Sequence, residues 1–445
     1  RQTPRPLHPT ASADELRARF AVPFPEHGSD GAAVIGDLIA AAEPGLVGNT
    51  DPNFYAWVMG ASDPVGVAAD WLTSIWGQNA CIYQCSPAAA IAEEAAAGWL
   101  LELLDLPRES SVGFVTGATM ATFVGLAAAR SEVLRRAGHD FEKHGLQGAP
   151  FVTFFASDEV HVSDLTAIRH LGFGEANIRL LPSDENGLIA AACLDDAMRD
   201  VDGPKIIVAQ AGHMNSGGFE NFSAFADVAK RHHAWLHVDG AFGLWARVLR
   251  EKAHLTKGLE LADSWAVDGH KWLQVPYDSG FAIVRDPTAH RRAMAMTAPY
   301  LTAATDDGPN PSDFTPGLSR RARGFTAWAM LKSLGRDGVE NLVRRHCHVA
   351  TKVQERVQDM KGLRVVCSVE LNQILIAATD PDVDMGVFAD CLNDSVFVKT
   401  THWKGEKVLR LSITSSETDE AHAEALAASI DAAYYSSKVG MVSST

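Results

Sequence analysis

Two short apolar runs end in groups capable of chemistry. Trp235-Leu236-His237-Val238 finishes in the carboxylate of Asp239, and Trp265-Ala266-Val267 leads through Asp268-Gly269 to His270 and Lys271. A lysine amine can hold an aldehyde as a Schiff base. A fixed carboxylate can keep a pyridine nitrogen protonated, so that the ring accepts electrons. An acid and an amine at the carboxyl ends of two strands are thus the two fixed points that pyridoxal phosphate chemistry needs. Exposure of Lys271 on a solvated strand edge is the plainer reading, but Trp272, Leu273 and Val275 lead straight back into apolar sequence.

Two further elements gain meaning from that pair. Gly117-Ala118-Thr119 follows an apolar run and precedes a helical pattern. Small residues there leave backbone N–H groups open at a helix N-terminus, which suits a phosphate, although turns of this composition are common. His161 opens the next helical pattern; it reads either as an ordinary satisfied histidine or as a ring placed over a cofactor, with proton transfer a secondary role.

The elements that must position these groups alternate in type. Apolar runs at 112–115, 151–155, 178–181, 205–209, 234–238, 265–267 and 281–284 read as strands, with helical stretches at 120–136, 160–171, 188–199 and 222–231 between them. This alternation predicts an α/β fold, a mostly parallel central sheet with helices on both faces. Strand ends at the carboxyl edge are where such sheets bind ligands.

Before this region lie a plausible helix at 32–42, an aromatic stretch at 53–60 that reads as core or as a pocket wall, and an Ala/Leu helix at 88–104. After it come a proline-rich loop at 298–318, a long helical region from Phe325 to about Met360, and an α+β unit with strands at 363–367, 373–377 and 408–413 and a final helix at 419–434. The expected organisation is an N-terminal segment (1–88) too thin to fold alone and packed on a partner subunit, a large cofactor-binding domain (89–345) and a small C-terminal domain (346–445).

Composition limits the partners. The chain has 445 residues, 47% hydrophobic and 21% charged, with a formal net charge of −16. That charge argues against nucleic acid, and no apolar run approaches a membrane span. Arg1 to Ser12 is polar with three prolines and reads as neither signal peptide nor transit helix. The six cysteines are scattered; only Cys81 and Cys85 are close, without the second half of a zinc pattern. Free thiols, no bound metal and a cytoplasmic location are the expectation.

In order, Thr-Gly-Ala-Thr (116–119), Glu-Val-His-Val-Ser (159–163), His-Val-Asp-Gly-Ala-Phe-Gly (237–243) and Ser-Trp-Ala-Val-Asp-Gly-His-Lys-Trp-Leu (264–273) resemble the group II pyridoxal phosphate-dependent decarboxylases of the aspartate aminotransferase fold, fold type I. Gln-Val-Pro-Tyr-Asp-Ser-Gly (274–280) and Ser-Arg-Arg-Ala-Arg-Gly-Phe (319–325) look closest to a bacterial branch. The resemblance implies that Lys271 is the Schiff-base lysine, that Asp239 pairs with the pyridine nitrogen, and that His161 stacks on the ring with Ala241 on its other face. Gly117, Ala118, Thr119 and His270 would surround the phosphate. Arg410, in Val-Leu-Arg-Leu-Ser, matches an arginine that contacts substrate carboxylates in parts of the superfamily; a structural ion pair is the alternative. The resemblance also implies an intertwined homodimer with active sites at the interface.

Three departures stand out. Met120 replaces a usual glutamate, and Gly212-His213-Met214-Asn215 replaces a threonine-rich element, making His213 a distinctive neighbour of the site. Counting back from Arg320-Arg321 to the loop position of a proton-donating tyrosine lands near Pro311, with Phe314 the nearest aromatic; Tyr300 opens the loop and is the candidate substitute.

The implied activity is decarboxylation of an L-amino acid to the amine and CO2. An oxygen-dependent aldehyde synthase, another lyase or aldolase at Cα, or a catalytically silent binding protein of the same fold are the alternatives. Trp57, Tyr83 and Phe314 suit an aromatic substrate side chain, whereas Arg410 and His213 suit an acidic one.

Overall fold

The structure is a computed structural model that describes residues 5–60, 62–296, 308–393 and 395–442. Its centre is a seven-stranded sheet: β1 (Ser111–Val115), β2 (Thr153–Ser157), β3 (Ile178–Leu181), β4 (Lys205–Gln210), β5 (Trp235–Asp239), β6 (Ser264–Asp268) and β7 (Gly280–Val284). Their spatial order is β1-β7-β6-β5-β4-β2-β3. Strands β6-β5-β4-β2-β3 pair in parallel, while β7 runs antiparallel to both β6 and β1. Side chains alternate across the sheet, so each strand feeds two cores. Ile207, Ala209, Leu236 and Val238 join the core on one face; Ile206, Val208 and Trp235 join the other. This is why the strands are continuous apolar runs, as a sheet covered on both sides requires.

Two expected boundaries shift for local reasons. The helix expected from Leu188 begins at Ala191, because Asp184 Oδ1 accepts from the N–H groups of Asn186 and Leu188 and folds that segment into a turn. The buried Glu220 carboxylate then takes the Ile189 N–H. The expected helix from Phe325 is Arg323–Gln358, bent at Gly335 (φ 60°), and it runs across the 345/346 boundary expected between domains.

A second, four-stranded antiparallel sheet forms the C-terminal unit. It contains Leu363–Val365, Gln373–Ala378, Glu406–Ser412 and an unanticipated strand, Lys399–Trp403. That strand is tied to its partner by a two-residue turn in which Lys404 and Gly405 both have positive φ, the geometry that matches strand twist. Helices Met385–Leu392 and Glu420–Val442 pack against this sheet.

The N-terminal segment is stitched to the C-terminal unit. Phe54 stacks on Phe397 at 4.6 Å between ring centroids, and Tyr55 N–H and Phe397 N–H bond reciprocally to the carbonyls of Phe397 and Asn53. Helices Ala13–Phe20 and Gly31–Ala42, by contrast, contain no buried residue. Among the described residues no helix is long and apolar enough to cross a membrane.

Candidate active site

The carboxyl ends of β4, β5 and β6, the N-termini of two helices and one strand of the C-terminal sheet surround a cavity of about 510 Å³, a volume suited to a small-molecule site. Lys271 and His270 reach it from the turn after β6, whose shape depends on close backbone approaches. A Cβ at Gly60 would meet the His270 carbonyl oxygen at 1.5 Å, and one at Gly280 would meet Gly117 Cα at 2.5 Å.

Asp268, buried at the end of β6, organises this corner. Its Oδ2 lies 2.8 Å from Lys271 Nζ and its Oδ1 3.3 Å from His270 Nε2; Oδ1 also accepts the Ala118 N–H at 2.6 Å. His270 Nδ1 accepts the Ser279 N–H, which leaves the ring proton on Nε2, facing Asp268. Burial pushes the His270 pKa down, against the pull of Asp268.

Asp239 ends β5 with Oδ1 accepting the Ala241 N–H at 3.0 Å. His161 is the N-cap of helix Val162–His170: its Nδ1 accepts from the Ser163 N–H and lies 2.6 Å from the Ser163 hydroxyl. The proton therefore sits on Nε2. Burial lowers the His161 pKa, with Asp239 acting in the other direction. Gly117 caps helix Ala118–Arg136, whose first-turn N–H groups have no partner within the helix.

Arg410 enters from the C-terminal sheet. It is largely buried, which pushes its pKa down to about 10, and its hydrogen bond is to Asn215 Oδ1 at 3.1 Å. Among the described residues no carboxylate lies within ion-pair distance of it.

The structure thus brings Lys271, His270, Asp239, Ala241, His161, Gly117, Ala118, Thr119, Trp57 and Arg410 to one cavity. His213, Tyr83 and Phe314 do not line it. His213 is fully buried behind the turn at 212–218: Nε2 meets the Glu159 carbonyl, Nδ1 accepts the Asn215 N–H, and the ring packs on Trp403. Burial depresses its pKa to about 4. Its contribution to the cavity is indirect, since it orients Asn215, the partner of Arg410. Phe314 packs on His290 at 5.1 Å. The Tyr83 backbone N–H donates to Asn310 Oδ1, and its ring lies against Gly308. Tyr300 lies outside the described residues.

Sequence reasoning passed over Asp268, Gln210 and Asp164. Asp268-Gly269 reads as a turn dipeptide. Gln210 is the polar end of an apolar run, and its Nε2 is buried, without a partner among the described residues, in a residue that lines the cavity. That unmet donor, the amine of Lys271, the carboxylate of Asp239 and the helix N-terminus at Gly117 together fit a bound aldehyde that carries a pyridine ring and a phosphate.

The comparisons agree with this fit. The pyridoxal-dependent decarboxylase conserved domain matches residues 14–379. Tryptophan decarboxylase 1 of Oryza sativa subsp. japonica is 30% identical, over 92% of this chain and 84% of the relative. The crystal structure of Oryza sativa TDC with PLP and tryptamine superposes with a TM-score of 0.89 at 25% identity, covering 96% of this chain and 93% of that one. The fold is shared also with Rhodiola rosea 4-hydroxyphenylacetaldehyde synthase, at a TM-score of 0.86, 22% identity and coverage of 97% and 93%. The chain belongs to the pyridoxal-dependent decarboxylase family. It is an enzyme of fold type I, and its cofactor is pyridoxal 5'-phosphate.

Proposed function

We propose that this enzyme removes the α-carboxylate of an aromatic L-amino acid, releasing CO2 and the amine. The observation that carries the reading is Arg410, a largely buried cation that meets no carboxylate among the described residues, in the same cavity as Lys271, Asp239 and His161. A cation left unpaired in a desolvated wall favours an anionic ligand, and the α-carboxylate of an amino acid is such a group. The relatives' names and the aromatic wall of Trp57 and Phe242 favour an aromatic side chain.

Pyridoxal phosphate, when bound, supplies a protonated ring that accepts the electron pair left as the carboxylate departs. Lys271 would supply the amine that holds the cofactor, Asp239 would hold the proton of its ring nitrogen, and His161 and Ala241 would enclose the ring. Gly117, Ala118, Thr119 and His270 hold the phosphate, with N–H groups at the helix N-terminus as donors. Arg410 would orient the substrate carboxylate, and Tyr300, His161 or Lys271 itself would return a proton to Cα. In this reading the enzyme is a homodimer that completes its sites at the interface. The N-terminal helices, which bury nothing within the chain, cover the partner. Its six free cysteines suit the cytoplasm.

The test is product analysis. The enzyme loaded with cofactor is incubated with L-tryptophan, L-tyrosine, L-phenylalanine, L-glutamate and L-histidine. Amine and CO2 in equal amounts from the aromatic substrates is the expected result. Aldehyde with ammonia and peroxide would replace decarboxylation by the synthase reaction, and turnover of glutamate or histidine alone would overturn the aromatic assignment.

A further inference from the structure

Directly behind Asp239 lies a second acid. Asp164, on the first turn of helix Val162–His170, is completely buried. No N–H or O–H among the described residues donates to either of its carboxyl oxygens with hydrogen-bond geometry, and the Thr122 hydroxyl beside it is likewise unmatched. The groups that Asp164 meets at close range are the carboxyl of Asp239 and the Thr122 hydroxyl, and of these two only Asp239 is an acid. Two carboxylates in contact repel, and a buried carboxylate without a donor is costly. Both problems vanish if one proton lies between them.

We infer that Asp164 is a neutral acid that donates its proton to Asp239, a positioning residue behind the group that faces the cofactor's ring nitrogen. The proton resides on Asp164 because that side chain has no access to solvent, whereas Asp239 opens to the cavity. Burial, then the charge of Asp239, pushes the Asp164 pKa well up; Thr122 and Lys271 act the other way. With one proton between them the two acids carry a single negative charge. With Asp164 donating from behind, Asp239 is fixed in direction toward the ring nitrogen. The link to the cofactor rests on the functional reading above; the shared proton itself does not.

The experiment compares wild type with Asp164→Asn, which keeps a donor, and Asp164→Leu, which removes it. The first readout is the infrared difference spectrum, wild type minus D164N, of the cofactor-free protein at pH 7. A carbonyl band of a neutral carboxylic acid in wild type is expected, and its absence overturns the proposal. The second is thermal stability of the cofactor-free proteins against pH. An acid whose pKa is raised by folding loses stability as pH climbs above its unfolded value of about 3.9. The melting temperature of D164N should therefore gain on wild type from pH 4 to 8, and a gap that stays constant overturns the proposal. The third is cofactor affinity by absorbance titration. D164N should bind pyridoxal phosphate within about threefold of wild type, and D164L about tenfold or more weakly, the usual loss for a buried hydrogen bond to a charged group. Equal affinities in all three overturn the positioning role. A wild type that shows the band but binds no pyridoxal phosphate overturns the reading of Asp239 instead.

Discussion

Lys271 Nζ lies 2.8 Å from Asp268 Oδ2, and the same carboxylate takes the Ala118 N–H at the start of helix Ala118–Arg136. One buried acid therefore sets the lysine, His270 and the helix N-terminus relative to one another. Asp268→Asn keeps the shape but cannot satisfy three donors, because its amide nitrogen meets one of them as a second donor. A loss of about 1–3 kcal/mol in urea unfolding of the cofactor-free protein is expected. Unchanged stability would remove Asp268 from this role.

Lys271 itself is tested chemically. Borohydride reduction of the loaded enzyme, followed by peptide mass spectrometry, should place the cofactor's mass on the peptide containing Lys271. Lys271→Ala should carry no such label and lose the visible absorbance on dialysis. A label on any other lysine overturns the assignment.

Arg410 is expected to act on substrate and not on cofactor. Arg410→Met preserves much of the side chain's bulk while removing the charge. KM for the amino acid should rise about tenfold or more, the scale of a lost charge-assisted hydrogen bond, with pyridoxal phosphate affinity within about threefold of wild type. Arg410→Lys should recover only part of the loss, since lysine offers a point charge in place of a planar fork. A parallel loss of cofactor affinity would make Arg410 a structural residue.

The parts of the fold that were legible in the sequence are those with one dominant pattern. The inner strands of the central sheet stand as apolar runs because both faces are covered, while the edge strand Ile178–Leu181 is half exposed and carries Arg179. Helix Pro64–Trp76 was not legible: its apolar residues point outward, with Trp71 and Ile75 67% and 77% exposed, so no inward face repeats along it. Strand Lys399–Trp403 is a polar edge strand, recognisable only from the turn at Lys404-Gly405. In the site, Asp239, Lys271, His161 and Gly117 were legible because residue type and place beside a strand end or helix start pointed the same way, whereas Asp268 and Gln210, which also end strands, carried no such second signal. His213 was not, because Gly212 at φ 82° turns the chain and sends its ring under Trp403 and not into the cavity. Asp164 looks like an ordinary polar residue of a first helical turn until packing shows which way it faces.

One share of the acid sensitivity can be assigned to His346, alongside His237 and His290, whose pKa values burial depresses alike. His346 is completely buried; its Nδ1 accepts from Trp272 Nε1 at 2.8 Å and its Nε2 meets the Ser415 carbonyl. Protonation would turn Nδ1 from acceptor to donor against the indole N–H, and burial depresses the pKa to about 3. A histidine with a depressed folded pKa stabilises fully above its unfolded value of about 6.5, and that stability is lost as pH falls toward 3, by about 1.4 kcal/mol per pH unit. His346→Gln keeps an acceptor and a donor but does not titrate. It should match wild type near pH 7.5 and overtake it in urea unfolding between pH 6 and 4. Parallel curves would show that His346 is not part of the acid response.

The apolar surface left uncovered by the fold points to assembly. Trp71 and Ile75 lie one helical turn apart on Pro64–Trp76, both well exposed, while Asp70 on the same helix is held by Arg321. Val34, Ile35, Leu38 and Ile39 form a second exposed apolar face on Gly31–Ala42. Patches of this kind mark an interaction surface. Burying a tryptophan or an isoleucine is worth about 1.5–3 kcal/mol each, so replacing Trp71 and Ile75 together by glutamate should weaken a dimer by about a hundredfold or more. Light scattering should then report a dimer for wild type and a monomer for W71E/I75E, with the helical circular dichroism of both alike. A wild type that is monomeric, or a double variant that stays dimeric, would place the subunit interface elsewhere or remove it.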